Sequence, residues 1–312
     1  MKIFVTGGCG YKGHVLVPKL LARGYQVEVF DTIWFGNFLN SHPNLTVTQG
    51  SVLDLERVDL KGVDIVIHLS SIANDPCGDL NPTLTWETSA LATMQLADMS
   101  ARAGVKQFIY ASSGSVYGIK DEEQVTEDLE LKPVSGYNKT KMVSERVILS
   151  YGDDMKIQII RPATVCGLSP RMRLDVSVNL LTMAALLNDE ITVFGGAQVR
   201  PNVHIEDITD SYLHFIDHPE MPGIYNVGFE NISILDIAEM VTEFVPAKIT
   251  LTESNDLRSY RVNSDKILAT GFKPKKTVRD AISEIVDAYK SGTLKNEPHF
   301  HNLKWMQEKK LA

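Results

Sequence analysis

Short runs of β-branched and apolar residues alternate with longer helical stretches through the first half of the chain. Six runs are predicted to be buried strands: 3–6, 27–30, 45–47, 65–68, 108–111 and 157–160. Three stretches between them repeat apolar residues at threes and fours, as helices packed on a sheet do: 12–22, 84–101 and 137–150. This alternation predicts a parallel sheet covered on both faces, and right-handed crossovers make it a Rossmann-type, doubly wound α/β fold. Pro18 lies inside the first predicted helix and should kink or shorten it.

After about residue 166 the pattern changes to short mixed segments separated by glycine and proline. A predicted strand at 224–227 and a predicted helix at 207–215 bring the chain back to the first sheet. We therefore expect a Rossmann domain over 1–165 with a return segment at about 203–229. The remainder, 166–202 and 230–312, is expected to form a smaller, discontinuous substrate lobe. The last twenty residues fit either an ordered flap or a frayed tail.

Charge and cysteine content exclude several classes of protein. The chain has 31 Lys and Arg against 39 Asp and Glu, a formal charge of −8, which is the wrong sign for a nucleic-acid-binding protein. Cys9, Cys77 and Cys166 form no C-x-x-C pair, which favours a reducing compartment over a disulfide framework or a zinc site. No apolar run reaches the roughly 18 residues of a membrane span, and the N-terminus lacks a signal-peptide pattern. We expect a cytoplasmic protein without nucleic-acid, membrane or metal partners.

The first predicted strand runs into a glycine-rich turn, Thr6-Gly-Gly-Cys-Gly-Tyr-Lys-Gly13. Gly7, Gly10 and Gly13 allow a tight turn, close approach of the backbone to a pyrophosphate, and contact between helix and strand. Asp31 ends the second strand eighteen positions later, close to the spacing of a carboxylate that binds the adenosine ribose. Such a carboxylate would repel a 2′-phosphate, so NAD is favoured over NADP. A plain tight connection and a plain turn residue remain the alternatives.

Tyr137 and Lys141 are four residues apart on a predicted helix and share one face. A phenol with its ordinary pKa of about 10 is a poor base at neutral pH. Lys141 and a positive nicotinamide ring could together lower the pKa of Tyr137 toward the working range. Ser113, after the fifth strand, could hydrogen-bond the same substrate oxygen. A surface helix is the alternative explanation of the Tyr–Lys pair.

These features together resemble the extended short-chain dehydrogenase/reductase family, in its NAD-dependent nucleotide-sugar epimerase/dehydratase group. The resemblance rests on the Gly7, Gly10, Gly13 spacing, on the run Tyr110-Ala-Ser-Ser-Gly-Ser-Val-Tyr-Gly118, and on Tyr137 with Lys141. It implies that Ser113, Tyr137 and Lys141 are catalytic, with hydride transfer from a sugar carbon, usually C4, to NAD. The residues that it assigns to the cofactor are Gly7, Gly10, Tyr11, Lys12, Gly13, Asp31, Ser51, Val52, Leu69, Ser70, Ser71, Tyr137, Lys141 and Pro162.

The resemblance also assigns substrate-binding residues, and at a few positions this sequence differs from the family pattern. Ser113, Thr164, Asn179, Arg200 and Arg258 would contact the sugar or its diphosphate, with helix packing as the alternative for Asn179. Ser51 stands where an aspartate usually contacts adenine, and Ser89 and Ala92 replace the asparagine and glycine of an N-x-x-G segment. The apolar helices from Leu84 and from Tyr137 resemble the pair that forms a dimer contact in many relatives, so we expect a homodimer; coverage within one chain is the alternative.

The run 166–179 resembles a narrower group of capsule and lipopolysaccharide sugar enzymes that includes GDP-manno-heptose 4-dehydrogenases. It therefore favours a GDP-heptose 4-dehydrogenase in surface polysaccharide biosynthesis. A nucleotide-sugar 4-epimerase is the first alternative, since it differs only in returning the hydride to the other face of the ketone. A 4,6-dehydratase is less favoured because Gly114 and Ser115 replace its carboxylate pair. A non-catalytic NAD sensor is disfavoured because such proteins typically lose the tyrosine and lysine.

Overall fold

The structure is a computed structural model that describes residues 1–120, 122–253 and 259–311. Its strands are β1 (Lys2–Thr6), β2 (Gln26–Asp31), β3 (Leu45–Gln49), β4 (Ile65–His68), β5 (Gln107–Ala111), β6 (Lys156–Pro162), β7 (Thr164–Cys166), β8 (Glu190–Phe194), β9 (Val199–His204), β10 (Gly223–Val227), β11 (Glu230–Ser233) and β12 (Lys248–Thr252). Its helices are α1 (Gly13–Ala22), α2 (Asp75–Leu80), α3 (Pro82–Trp86), α4 (Ala92–Arg102), α5 (Gly136–Leu149), α6 (Ser177–Asn188), α7 (Ile205–Asp217), α8 (Ile234–Thr242), α9 (Asp265–Leu268), α10 (Val278–Lys290) and α11 (Asn302–Lys309).

The central sheet is parallel, as the alternation of strands and helices predicts. Over the described ranges it has seven strands in the order β10-β6-β5-β4-β1-β2-β3. The strand β1 pairs with β2 on one side and with β4 on the other, so the winding reverses direction between β1 and β4. Ligands bind outside the carboxyl ends of the strands at such a reversal point. The predicted Rossmann-type fold class is confirmed.

Alternating side chains of the central strands fill two cores, one on each face of the sheet. Ile3 and Val5 of β1 belong to the cluster packed against α1 and α7, whereas Phe4 belongs to the cluster on the opposite face with Phe108 and Leu96. Each of these five side chains is buried. Burying a side chain of this size contributes roughly 1.5–3 kcal/mol. The sheet is therefore held rigid from both sides, and the loops at its carboxyl edge start from fixed points.

The second half of the chain adds two small sheets and returns to the first. The described strands order as β11-β9-β7 and as β12-β8, and α6, α8 and α10 enclose a third apolar core beside them. The predicted returning strand is present, since β10 pairs in parallel with β6. The division into domains at the predicted bounds stays a prediction.

The segment predicted as one helix over 84–101 is instead α3, a π-helical turn at Glu87–Leu91, and α4. The Ser89 carbonyl oxygen, within this turn, accepts hydrogen bonds from the Thr93 hydroxyl at 2.9 Å and the Ser144 hydroxyl at 2.6 Å. These side-chain donors satisfy a carbonyl oxygen in the irregular turn, a local contact that apolar spacing does not encode. Helix α1 was expected to be kinked or shortened by Pro18. It continues through Pro18 to Ala22.

The segment 298–309, near the C-terminus, for which the sequence left two interpretations, forms regular structure. A 3₁₀ turn at Pro298–Phe300 leads into α11, where Met306 is buried and the Trp305 indole donates to the Trp34 carbonyl oxygen at 2.7 Å. Among the helices described, none combines the length and apolarity of a membrane span. Within the same parts of the chain, no group of three or more His, Cys, Asp or Glu side chains is placed to hold a metal ion.

Candidate active site

A cavity of about 570 Å³ opens at the carboxyl ends of β1, β4, β5 and β6, where the central sheet faces the lobe. The predicted site residues that line it are Gly7, Gly10, Tyr11, Lys12, Gly13, Asp31, Ser51, Val52, Leu69, Ser70, Ser71, Ser113, Tyr137, Lys141, Pro162, Thr164 and Arg200. Arg258 lies outside the described residues, and Asn179 is buried behind the cavity wall. Residues predicted separately from three regions of the sequence thus share one cavity, and their binding roles stay predictions.

The glycine-rich turn is packed too closely for side chains at two positions. Gly7 has a φ of +72°, and a Cβ there would lie 2.7 Å from the Ser70 backbone nitrogen. A Cβ at Gly13 would lie 2.3 Å from the Gly8 carbonyl oxygen. Since Gly13 is also the first residue of α1, the turn delivers its backbone to the cavity at a helix N-terminus. This cradle suits the pyrophosphate of a dinucleotide.

Asp31 is fixed at the end of β2 by two backbone amides. The amide of Cys9 donates to one carboxylate oxygen at 2.9 Å and the amide of Ile33 to the other at 2.7 Å. Burial raises the pKa of Asp31, and the two amide hydrogen bonds oppose that rise. A carboxylate accepts more than two hydrogen bonds, so these contacts orient Asp31 and leave lone pairs for ribose hydroxyls.

His68 positions the small residues that follow β4. Its ring nitrogens contact the Thr6 hydroxyl at 2.6 Å and the Thr93 hydroxyl at 2.8 Å, which joins β1 to α4. Burial lowers the pKa of His68 to about 3, so the ring is neutral. The segment that begins at Leu69 therefore leaves the sheet from a fixed point and forms the cavity floor.

Ser113, Tyr137 and Lys141 meet where β5 ends and α5 begins. The Lys141 ammonium donates to the Ala111 carbonyl oxygen at 2.8 Å and lies 5.9 Å from the centre of the Tyr137 ring. The Ser113 hydroxyl lies 2.7 Å from that of Ser115, which donates in turn to the Asn138 amide oxygen at 2.5 Å. The residues predicted to be catalytic are therefore adjacent and tied to rigid elements.

The electrostatics of this group differ from the expectation that Lys141 lowers the pKa of Tyr137. Burial raises the pKa of the Tyr137 phenol to about 12; Asp75 adds to this rise, whereas a hydrogen bond from Ser113 and the charge of Arg173 oppose it. Burial lowers the pKa of Lys141 to about 7, and the positive charge of Lys12 lowers it in addition. The protein's own groups thus keep the phenol protonated at neutral pH, because the loss of solvation outweighs the nearby charges.

A buried ion pair supports α5 from behind. Both arms of the Arg161 guanidinium bind Glu145, at 2.9 and 2.6 Å, and Arg161 also donates to the Tyr117 hydroxyl at 2.7 Å. The Ser112 hydroxyl donates to the same Glu145 carboxylate. Because Glu145 lies one turn after Lys141, this network fixes the part of α5 that carries Tyr137 and Lys141.

Two arginines from the loop after β7 line the cavity and were not assigned from the sequence. Arg171 is only 2% exposed, and its guanidinium stacks on Phe35 at 4.2 Å and donates to the Asn302 side chain at 2.6 Å. Its Nε has no hydrogen-bond partner among the described residues. Arg173 instead makes a two-armed pair with Asp175, at 2.8 and 3.0 Å.

These cations suit an anionic ligand. Burial, and then the charge of Arg173, lower the pKa of Arg171 to about 9 and that of Lys12 to about 8. A cluster of cations that repel one another suits a ligand that carries phosphate groups. The glycine cradle, Asp31 and this cluster together fit the dinucleotide NAD. Both arginines belong to the run 166–179. The sequence did not assign them to the site, because the position of Arg171 depends on its contacts with Phe35 and Asn302, which are distant in sequence.

The Asn179 side chain is hydrogen-bonded within the protein. Its side chain accepts from the Gly167 amide at 3.0 Å and donates to the Tyr11 hydroxyl at 3.0 Å and the Arg173 carbonyl oxygen at 2.9 Å. Both amide hydrogens are therefore used within the protein. Asn179 fixes the loop that carries the two arginines, which corresponds to the packing alternative, and direct contact with substrate stays a prediction.

Known proteins resemble this chain over most of its length. The profile of the NAD dependent epimerase/dehydratase family matches residues 3–228. The UDP-glucose 4-epimerase of Lactobacillus helveticus is 27% identical, over 93% of this chain and 98% of that protein. MoeE5 in complex with UDP-glucuronic acid and NAD has the same fold, with a TM-score of 0.84 and 25% identity over 94% of this chain and all of that one. The UDP-glucuronic acid 4-epimerase of Bacillus cereus, in complex with UDP-glucuronic acid and NAD, gives a TM-score of 0.81 and 26% identity over 93% and 99% of the two chains.

Proposed function

Because this chain belongs to the NAD dependent epimerase/dehydratase family, we propose that it is a nucleotide-sugar 4-epimerase that acts on a UDP-sugar. The observation that carries the proposal is the adjacency of Tyr137, Ser113 and Lys141 in a cavity shared with the glycine cradle. The family is NAD-dependent, which confirms the predicted cofactor. An enzyme of this family acts on nucleotide sugars, so the non-catalytic sensor is set aside.

The chain's own residues supply binding and proton transfer. Gly7, Gly13 and Asp31 would hold the dinucleotide, and Arg171 would face its phosphates. When bound, oxidised NAD supplies a hydride acceptor and a positive charge on the nicotinamide ring. Beside Tyr137, that charge would oppose the rise in the pKa of Tyr137 that burial causes. Tyr137 then takes the proton of the sugar hydroxyl, while Ser113 hydrogen-bonds the same oxygen.

The full-length relatives favour the epimerase alternative over the dehydrogenase that the sequence favoured. The relative from Lactobacillus helveticus is named as a 4-epimerase and aligns with nearly the whole chain, including the lobe. The narrower resemblance to GDP-manno-heptose enzymes has no support among the relatives found, nor has a role in capsule biosynthesis. Both outcomes share the first oxidation at C4, so the assignment of Tyr137 does not depend on the choice.

We also propose a cytoplasmic homodimer. Trp86, Leu91 and Met94 are each about 40% exposed on the segment from α3 to α4, where apolar side chains would be covered by a second copy. The three cysteines are unpaired and buried, which supports a reducing compartment. Sedimentation of the purified protein tests the dimer: a monomer at micromolar concentration contradicts it.

The reaction is tested by incubating the purified protein with UDP-glucose or, separately, GDP-manno-heptose, with and without added NAD. An epimerase gives a product of unchanged mass whose C4 configuration is inverted, as nuclear magnetic resonance shows. A dehydrogenase gives a product lighter by two hydrogens, together with one equivalent of reduced cofactor. The first result with UDP-glucose supports the proposal, and the second result with either substrate overturns it.

A further inference from the structure

Two side chains continue the hydrogen bonds of the catalytic group into the protein. The Ser115 hydroxyl lies 2.7 Å from that of Ser113 and donates to the Asn138 amide oxygen at 2.5 Å. Ser113 also hydrogen-bonds the Tyr137 phenol. A chain of four groups therefore runs from the phenol through two hydroxyls to one amide, and the function proposed above uses only the first two of them.

The direction of the hydrogens in this chain follows from counting them. A hydroxyl has one hydrogen and two lone pairs. The hydrogen of Ser115 goes to Asn138, so Ser113 must give its own hydrogen to Ser115. Ser113 also accepts from the Ser115 backbone N–H at 3.2 Å, which leaves it one lone pair for Tyr137. In this arrangement the phenol donates to Ser113, and every hydrogen of the chain points away from the phenol.

Proton transfer from a sugar hydroxyl needs the opposite direction. A phenolate that takes this proton has no hydrogen to give, and the sugar oxygen then accepts from Ser113. Ser113 has its hydrogen free for that bond only when Ser115 donates to it instead of accepting from it. Ser115 can do so only when Asn138 no longer takes its hydrogen.

Asn138 is able to make this exchange. Its side chain is 1% exposed, and its Nδ2 has no hydrogen-bond partner among the described residues. Half a turn of the amide exchanges its oxygen and its nitrogen within nearly the same volume. The nitrogen would then donate to Ser115, and the oxygen would lose its partner in turn. The number of hydrogen bonds is therefore the same in both orientations.

We propose that Ser115 and Asn138 are positioning residues that reverse this chain. Its hydrogens point away from Tyr137 while the phenol is protonated, and they point toward it after the Asn138 amide has turned. This inference rests on the proposed function, because it presumes that a sugar hydroxyl gives its proton to Tyr137.

The charged groups near the phenol do not take part in the reversal. Asp75, on α2, raises the pKa of Tyr137, and Arg173, on the loop after β7, lowers it. The Lys141 ammonium lies 5.9 Å from the centre of the ring. Because the Asn138 amide is neutral, its rotation changes the hydrogen bond at the reacting group without moving any of these charges.

The test compares Asn138→Asp with Asn138→Leu in the NAD-loaded protein. It measures the burst of reduced nicotinamide at saturating UDP-glucose, between about pH 6 and about pH 10. An ionised carboxylate only accepts, so it keeps Ser113 donating to Ser115, whereas a leucine leaves Ser115 free to donate to Ser113. We expect Asn138→Asp to slow the burst by about tenfold or more at the alkaline end and Asn138→Leu by about threefold or less.

Two features of this result distinguish orientation of Ser113 from a merely structural effect. The UDP-glucose concentration that gives half the maximal rate should stay the same in both variants, because the chain acts on proton transfer. A packing role predicts the reverse order of the two rates, since aspartate matches asparagine in size and shape more closely than leucine does. That reverse order overturns the proposal.

Ser115→Ala supplies the control for the added charge. In this background, which lacks the connecting hydroxyl, Asn138→Asp should slow the burst by about threefold or less. An undiminished loss there would assign the effect to the charge of the carboxylate and overturn the proposal.

A second comparison applies if Asn138→Asp fails to fold. Asn138→Ala and Ser115→Ala are then combined, and the double variant should be no slower than the slower single variant, whereas losses that multiply overturn the chain. A wild type that does not oxidise UDP-glucose overturns the proposed function. A wild type that oxidises it at the same rate as both Asn138 variants overturns only the role of the chain.

Discussion

The Lys141 ammonium donates to the Ala111 carbonyl oxygen at 2.8 Å and so fastens α5 to the end of β5. It is 2% exposed and lies 4.8 Å from the centre of the Tyr110 ring. The end of β5 thereby fixes the position of the Lys141 ammonium, and α5 holds Tyr137 one turn before Lys141. The same burial gives Lys141 an unusual proton affinity, from which a measurable pH dependence follows.

Replacement of Lys141 by methionine should change stability in a pH-dependent way. The pKa of Lys141 is about 7 in the folded protein, against 10.5 for a fully solvated lysine. Below pH 7 the folded protein buries a charge, which lowers its free energy of unfolding. Between these pKa values the unfolded chain binds a proton that the folded protein does not, so the free energy of unfolding rises with pH. The stability of Lys141→Met relative to wild type should therefore fall as pH rises from 7 toward 10.5.

Thermal unfolding of the NAD-free protein over that pH range checks this expectation. Lys139→Met serves as the control, since Lys139 is exposed on the same helix. A constant difference between Lys141→Met and wild type at every pH would show that the ammonium is not desolvated as described. The lost hydrogen bond to Ala111 lowers stability equally at all pH values and does not affect the trend.

Tyr137→Phe should keep its fold and its bound NAD. Its rate of C4 oxidation should fall by about 10²- to 10⁴-fold. The substitution removes one hydroxyl and keeps the Tyr137 Cβ, which would lie 3.3 Å from a Cβ added to Gly78. The measurement is the burst of reduced nicotinamide on mixing with UDP-glucose, beside the NAD content of the purified variant. Full activity with normal NAD content would remove Tyr137 from the reaction.

Local patterns predict the parts of this molecule that depend on neighbours in sequence. The strands of the central sheet follow from runs of apolar residues, and the cradle follows from glycines whose spacing a turn requires. Spacing on one predicted helix joins Tyr137 to Lys141, and the family resemblance adds Ser113 to the same group.

Contacts between distant segments could not be read in the same way. Arg171 is joined to Asn302 and stacked on Phe35, three residues separated by more than a hundred positions from one to the next. No local period encodes that meeting. Likewise Asp75 acquires its position from Ser135, on another helix, and the sign of the pKa shift at Tyr137 depends on burial that only the folded chain provides.

Gly13→Ala should abolish NAD binding and lower the melting temperature, because the added Cβ would lie 2.3 Å from the Gly8 carbonyl oxygen. Overpacking of this kind costs roughly 1–3 kcal/mol or more. Gly136→Ala is the matched control, since nothing lies within 4 Å of a Cβ there and alanine favours the helix by up to about 1 kcal/mol. Calorimetric melting and NAD content measure both variants. Equal behaviour of the two would contradict the close packing of the cradle.

Asp31→Asn should weaken NAD binding by about 10- to 100-fold and raise the relative affinity for NADP. A hydrogen bond to a charged acceptor contributes about 1.5–3 kcal/mol, which the neutral amide loses in part. The 2′-phosphate is then no longer repelled, and the positive charge of Arg171, which interacts with Asp31, attracts it. Titration of the cofactor-free protein with each dinucleotide gives the ratio. Asp54→Asn, an exposed substitution beyond β3, should leave that ratio as in the wild type.

Asn302→Ala should speed the release of NAD by about tenfold, the effect of a loss near 1.4 kcal/mol. Asn302 links α11 to the loop after β7. Its side-chain oxygen accepts a hydrogen bond from Arg171 at 2.6 Å, and its backbone N–H donates to the Asp175 carboxylate at 3.2 Å. Without the side chain, Arg171 keeps its stacking on Phe35 but loses the hydrogen bond that holds its guanidinium at the cavity wall. The dissociation rate is measured by trapping released NAD with an excess of a second dehydrogenase. The control is Gln307→Ala, because Gln307 is exposed on the same helix. Faster release of NAD in both variants would indicate a general loosening of α11, whereas faster release in Asn302→Ala alone supports the loss of this contact.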